Sequence, residues 1–440
     1  MQSILVLGAG RSSTALIGYL IHHAVQYSWK ITVGDVSLAT ANERIGNSAA
    51  AAAIQFDIQQ ENSLEVIQQS DVVISMLPAM FHPLVARKCL QFNKHLLTAS
   101  YVSEEMRSLD SEAKKKGLLF LNECGLDPGI DHMSAMQVID RIKSEGGELY
   151  SFESFTGGLI APDTDPENPW RYKFTWNPRN VVMAGQGTAR FLRNGEFKYI
   201  PYQQLFKRIT PVTVPGFGEF EGYANRDSLT YRELYGLEKV KTMLRGTLRN
   251  KGFCAAWDIF VQLGCTDDSY PMQDAVHMTH HDFINSFLDF HQDWSVEEKI
   301  THAFHLKPDG PELLRLNWTG MFDNEPVGLA KGTPAEILEH ILNKRWKLNA
   351  QEKDMIVMWH RFRFLKEGKE KEIQSSLVVL GENSSQTAMA KTVGLPLAIA
   401  TKLLLQGKIK QRGVVIPTKE ELYEPILREL GGLGIALVEK

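Results

Sequence analysis

Cysteine is scarce in this chain: four in 440 residues, Cys89, Cys124, Cys254 and Cys265, with no CxxC pair among them. That usage argues against a zinc knuckle or a disulfide scaffold and suits a reducing cytosol. Positive charge is not in excess either. The formal net charge of −4 argues against nucleic acid as a partner, because phosphate binding needs a basic face. No uninterrupted apolar run reaches membrane-spanning length. The opening MQSILVLGAG has neither the basic segment nor the cleavage site of a secretory signal. These absences lead us to expect a soluble cytoplasmic protein without nucleic-acid or membrane partners. The bulk composition, 43% apolar and 23% charged, is that of a globular chain with room for two or three domains.

The first third alternates in a recognisable way. SILVLG, a short branched apolar run, is followed by GAGRSS and then by the amphipathic TALIGYLIHHA. This reads as strand, glycine turn, helix. Gly8 permits the sharp turn and Gly10 lets backbone approach a pyrophosphate on the helix N-terminus, with Arg11, Ser12 and Ser13 lining the same turn. Ser13 stands at the third position of GxGxxG/A and is small enough for close packing. A lone GxG is weak, but a second strand, KITVGD, ends in Asp35, where such folds grip the adenosine ribose. An acid there accepts from the ribose hydroxyls and repels a 2′-phosphate, which favours NAD over NADP. The bland alternative is that Asp35 caps the helix that follows.

Four more strands continue the pattern: AIQFD, SDVVISMLP, HLLTAS and GLLFLNE, each separated by a helical segment. Six strands with intervening helices predict a Rossmann-type doubly wound parallel sheet, with ligands at the carboxyl ends of its strands. Asp57 and Ile58, Leu77, Ala99, Ser100, Tyr101, and Leu126, Asp127 and Pro128 all fall at such ends. The last three belong to NECGLDPGIDH, Asn122 to His132, which has no obvious structural excuse. It reads as a rigid active-site loop, in which proline stiffens and glycine permits an unusual backbone angle. Asp131 and His132 begin the next helix, so capping and packing explain them, and His132 stays outside the catalytic set.

On the stretches SDVVISMLPAMFHP, LLTASYVS, NECGLDPGIDHMSAM, NPWRYKFTWNPRNVV, YANRDSL, LRGTLRNKGF and AKTVGLPLAIATKLLLQG, the chain resembles the L-glutamate-forming saccharopine dehydrogenases (saccharopine reductases), nearly end to end. The resemblance implies an oxidoreductase of lysine metabolism that uses NAD or NADP and acts on saccharopine, forming L-glutamate and 2-aminoadipate 6-semialdehyde. It also implies that Arg226 and the run Thr247, Leu248, Arg249 contact substrate, and that Trp176 lies against the cofactor; for Trp176 a core position is the simpler reading. Two features depart from the family. Gly34–Asp35–Val36 replaces the basic or neutral run that suits NADP. Thr156–Gly157–Gly158 stands where Cys-Gly-Gly is frequent, so a thiol's role cannot be transferred.

Saccharopine carries three carboxylates, so fixed guanidinium groups are the expected recognition elements. Arg226, Arg245 and Arg249 are the main candidates, with Arg171 and Arg179 behind them; on composition alone a surface ion pair is the simpler reading of each. Asp127 and Tyr101 are the candidate catalytic pair. Asp127 is read either as an ionised grip on the substrate ammonium or as a proton carrier with a raised pKa. Tyr101 either orients the imine nitrogen or a water, or simply packs at a strand end. His277, His280 and His281 share helical spacing, but no acid or cysteine completes a metal set, and a polar surface is the better reading.

The expected layout is a dinucleotide domain over 1–130 joined by 385–440. A mixed α/β substrate and dimerisation domain over 131–235 and 350–384 follows, with a helical domain inserted over 236–349. A homodimer is expected from the second sheet. Two rivals stand beside this reading: a carboxynorspermidine dehydrogenase-like imine reductase, and a non-catalytic nucleotide-binding sensor.

Overall fold

A computed structural model describes residues 1–60, 64–225 and 227–440. Its contacts divide the chain into two compact units. The first comprises Met1–Glu148, Lys366–Gly368 and Leu377–Glu439; the second comprises Leu149–Leu365, Lys369–Ser376 and Lys440.

The first unit is a parallel sheet. Its strands are β1 (Gln2–Leu7), β2 (Trp29–Asp35), β3 (Ala51–Gln55), β4 (Val72–Ser75), β5 (His95–Thr98) and β6 (Leu119–Leu121), joined by Gly413–Val415. Their spatial order is Gly413–Val415, β6, β5, β4, β1, β2, β3. This is the doubly wound order, whose reversal between β1 and β4 opens a crevice at the strand ends. The β1 and β4 strands read as continuous apolar runs because helices cover both faces, and Leu5, Val73 and Phe120 are wholly buried. Gly8 adopts φ +98°, and a Cβ there would stand 2.9 Å from the Met76 carbonyl, so the first turn is pressed onto the end of β4. The C-terminal segment completes this unit. Helix Ala388–Leu405 is long and apolar enough to cross a membrane, yet 72% of it is buried inside the fold. Its Gly394 lies against Leu16 and the Ser12 carbonyl, at the base of the glycine turn.

The second unit is built on a mixed sheet. Its strands are β7 (Glu148–Ile160), β8 (Ala189–Arg193), β9 (Glu196–Ile200), β10 (Thr210–Val214), β11 (Gly218–Ala224), β12 (Thr242–Asn250), β13 (Asp354–Lys366) and β14 (Lys369–Leu380). The order is β10, β11, β12, β7, β13, β14, with the β8–β9 hairpin attached to β12. Here the sequence reading needs correction. The helical domain expected over 236–349 would begin with LEKVKTMLRGTLRN as a helix. Its larger part, Thr242–Asn250, is instead the central strand β12, hydrogen-bonded to β11 and β7 and buried along most of its length. Gly246 at its middle explains the choice: a Cβ there would stand 2.4 Å from both the Phe155 ring and the Tyr223 carbonyl. The helices that follow do not form a unit of their own. Trp170, Phe253, Trp257, Phe260 and Trp346 stack edge-to-face and in parallel, joining helices Phe253–Leu263 and Pro334–Trp346 to the loop before β8.

Candidate active site

At the end of β1 the dinucleotide turn has the geometry a pyrophosphate needs. Gly10 has an ordinary extended-to-turn backbone, and nothing lies within 4 Å of where its Cβ would be. Its glycine identity answers to open space rather than to a protein neighbour. Arg11–Ser13 follow as a single tight turn, the Ser13 hydroxyl donating to the Gly10 carbonyl at 2.7 Å, before helix Thr14–Tyr27 begins. Asp35 closes β2 beside this turn. One carboxylate oxygen accepts from the Ala9 N–H at 2.8 Å and the other from the Ser37 N–H at 2.9 Å. Both readings of Asp35 thus have a foothold: it steadies the start of the next helix, and each oxygen keeps a lone pair. The Arg44 Nε–H donates to the Ala9 carbonyl at 3.2 Å. Beyond β2 and β3 a recess of about 270 Å³ is lined by Val36, Ile54, Phe56, Asp57 and Gln60, while Ile58 is buried next to it in sequence. The recess, the open face of Gly10 and the free lone pairs of Asp35 fit a dinucleotide.

The ends of β4, β5 and β6 carry the second cluster. Leu77, Ala99 and Ser100 are half-buried there. Beneath them lies His82, 4% exposed, at the start of helix His82–Phe92. Its Nδ1 pairs with the Ser75 hydroxyl at 2.9 Å, and its Nε2 with the hydroxyls of Ser100 at 2.8 Å and Thr98 at 3.0 Å. Burial drives the His82 pKa down to about 4, so the ring is neutral in the folded protein. Sequence reasoning passed over this residue, although a histidine followed by proline at a helix start was visible. A folded-state pKa below the unfolded 6.5 means that the native state binds fewer protons between those values. Its stabilising contribution is present above pH 6.5 and fades as pH falls through 4. We expect wild type to lose about 2 kcal/mol more than His82→Asn between pH 7 and pH 5, measured by denaturant unfolding.

The stretch that follows β6 is folded back on itself. Gly125 N–H donates to the Pro128 carbonyl, and Ile130 N–H to the Gly125 carbonyl. The Asp127–Pro128 peptide is cis, and Gly129 has φ +148°. Leu126 and Pro128 are buried, whereas Asp127 projects far enough to accept from the Tyr101 hydroxyl at 3.0 Å. The two candidate catalytic residues therefore form one hydrogen-bonded pair at neighbouring strand ends.

The candidate substrate residues belong to the second unit. In the register of β12, Arg245, Thr247 and Arg249 share one face, beside Ser154 and Thr156 of β7 and Tyr223 of β11. Arg249 is 4% exposed and sits among the rings of Tyr172, Phe253 and Tyr223 at 5.1, 5.2 and 5.9 Å. Among the described residues its only hydrogen bond runs to the Leu248 carbonyl, its buried Nε has no partner, and no carboxylate pairs with it. The Thr156 hydroxyl, on the same face, is likewise buried and has no hydrogen-bond partner among the described residues. Leu248 turns to the other face, fully buried, so its side chain belongs to the core. Arg245 lies over the Tyr231 ring at 4.2 Å, and Trp176 lies half-buried beside Tyr172. Arg179 pairs with Asp268, Arg171 donates to the Pro162 carbonyl, and Arg226 lies outside the described residues. His280 corrects another reading: it is buried, not part of a polar surface, and bonds the Gly320 carbonyl at 2.8 Å.

A doubly wound sheet with an open glycine turn places the first unit among dinucleotide-binding folds, and the second unit holds a buried guanidinium with no carboxylate partner among the described residues. Comparison with known proteins narrows this. Residues 4–121 match the family described as "Saccharopine dehydrogenase NADP binding domain" and residues 125–435 match "Saccharopine dehydrogenase C-terminal domain". The chain belongs to the saccharopine dehydrogenase family. It is 33% identical to "Saccharopine dehydrogenase [NADP(+), L-glutamate-forming]" of Schizosaccharomyces pombe over 100% of this chain and 99% of that one. It is also 35% identical to bovine mitochondrial alpha-aminoadipic semialdehyde synthase over 99% of this chain, but the chain spans only 47% of that longer protein, about half its length. The structure of saccharopine dehydrogenase (L-Glu forming) from Saccharomyces cerevisiae superposes with a TM-score of 0.90 at 31% identity, covering 100% of this chain and 99% of that one.

Proposed function

We propose that this chain oxidises saccharopine with NAD or NADP to an imine, which water cleaves to L-glutamate and 2-aminoadipate 6-semialdehyde, and that it runs the same steps in reverse. The observation that carries this reading is Arg249: a guanidinium buried among aromatic rings, with no carboxylate partner among the described residues. A charge left uncompensated in an apolar setting is costly, and a ligand carboxylate removes the cost. Thr156 and Thr247 on the same face add hydroxyl donors. Full-length relatives named as saccharopine dehydrogenases support the substrate assignment.

In this reading Gly10, Ser12, Asp35 and the recess at Asp57 would hold the dinucleotide, which would supply the hydride acceptor or donor when bound. Asp127, kept in place by Tyr101, grips the substrate amine as a carboxylate, and the Tyr101 hydroxyl orients the nitrogen whose bond is broken. The enzyme is proposed to work in the cytoplasm as a homodimer, without nucleic-acid or membrane partners. Mixing the purified chain with saccharopine and each cofactor, and following reduced-nicotinamide absorbance, tests the assignment; no absorbance change with either cofactor would refute it.

Asp35 is proposed to tilt the choice toward NAD, since its carboxylate opposes a 2′-phosphate. Asp35→Ser should raise the ratio of kcat/KM for NADP over NAD by about tenfold or more, about 1.4 kcal/mol. An unchanged ratio would show that Asp35 serves only the glycine turn and the helix start.

A further inference from the structure

Behind the Tyr101–Asp127 pair lies a chain of buried acids and imidazole that the chemistry above does not use. Glu123 has a left-handed backbone, φ +53°, unusual for a residue with a Cβ. That conformation turns its side chain inward. The Glu123 N–H donates to the Ser100 carbonyl at 3.1 Å, and one carboxylate oxygen accepts from the Val102 N–H at 3.0 Å. The other oxygen meets His132 Nε2 at 2.8 Å. The opposite ring nitrogen of His132 stands 3.5 Å from Asp131, and Asp131 accepts from the Gly129 N–H at 2.6 Å. All three side chains are buried.

These contacts close a ring. From Val102 the path runs through Glu123, His132 and Asp131 to Gly129, then back along Pro128 and Asp127 to the Tyr101 hydroxyl and so to Val102. Every link lies within the first unit. Even a hydrogen-bonded buried ionic cluster commonly adds little net stability, because desolvation offsets its attraction, so stability alone does not account for this one. We propose that Glu123 and His132 are positioning residues: their brace fixes the separation and orientation of Tyr101 and Asp127, and neither touches substrate or cofactor.

The inference rests on the proposed roles of Tyr101 and Asp127, and its test separates the two. Glu123→Gln keeps the shape and an acceptor for Val102 but removes the charge facing His132. We expect kcat to fall about tenfold or more, with the saccharopine KM and the cofactor dissociation constant each within about twofold of wild type. In parallel, 3-fluorotyrosine placed at position 101 of the full chain reports on the phenol by fluorine NMR without any substrate. Its resonance should move in Glu123→Gln and in His132→Asn, while the neighbouring fold keeps its melting temperature to within a few degrees. Should Glu123→Gln not fold, His132→Asn cuts the same ring one link later and takes the same readouts. Wild-type kcat together with an unmoved fluorine resonance would overturn the proposal. If wild type itself does not turn over saccharopine, the functional reading fails, and the fluorine resonance still decides whether the brace holds Tyr101.

Discussion

Arg249→Met should raise the Michaelis constant for saccharopine about a hundredfold while the dissociation constant for the cofactor stays within about twofold; a hundredfold loss corresponds to about 2.7 kcal/mol. Truncating one member of a desolvated charge pair commonly costs about 2–5 kcal/mol, so the figure is conservative. The same substitution should make the unliganded protein more stable. In the absence of ligand the guanidinium is buried among rings with no carboxylate partner among the described residues. Exchanging it for an apolar chain of similar length relieves that cost, and the melting temperature should rise by a few degrees, about 2–4 °C per kcal/mol. Opposite signs in binding and stability are the signature of a site held ready for an anion. A fall in melting temperature together with weakened cofactor binding would mean that Arg249 holds the fold instead. Arg249→Lys keeps the charge without the planar fork and should recover only part of the affinity.

Gly129→Ala should be the most damaging single methyl in the chain. At φ +148° the added carbon would stand 2.1–2.3 Å from the backbone of Gly125, atoms that no side-chain rotation can move aside. We expect a loss of about 4 kcal/mol or more, seen as a lowered denaturant midpoint, and no measurable turnover. Gly10→Ala is the informative contrast. Its added carbon meets nothing within 4 Å, so the folded protein should keep its unfolding midpoint and lose cofactor affinity instead. Weak binding in the second variant with wild-type stability would separate a glycine that serves a ligand from one that serves the loop. Equal stability in both would remove the steric account of Gly129.

Much of the first unit could be read directly from residue order. The six strands of the parallel sheet lie where apolar runs ended in Gly8, Asp35, Leu77 and Ser100, because a strand covered on both faces must be apolar throughout. The turn at Gly8–Gly10 was legible for the same reason: glycines between a buried strand and an amphipathic helix have few other uses. The second unit was harder. β11 is GEFEGYA, whose glycines and acids hide a strand, and Gly222 is small because the Phe155 ring lies 2.8 Å from where its Cβ would be. β12 carries a helical spacing of apolar residues, and only its central place in the sheet decides otherwise. Arginines 245 and 249 were singled out by resemblance and by residue type; their common face follows from strand periodicity, which a helical reading could not supply. The ring through Glu123 depends on a left-handed backbone and on three segments meeting, and no local pattern announces it.

The glycine turn is wedged by Gly394, a residue nearly four hundred positions downstream, and Gly413–Val415 forms one border of the same parallel sheet. The half that recognises nucleotide is thus not a separable N-terminal module. During synthesis its first hundred and fifty residues must wait, with Leu16 and the outer edge of β6 uncovered, until helix Ala388–Leu405 and strand Gly413–Val415 have left the ribosome. Genetic fusions or truncations that cut away the tail would disable the opposite end of the polypeptide.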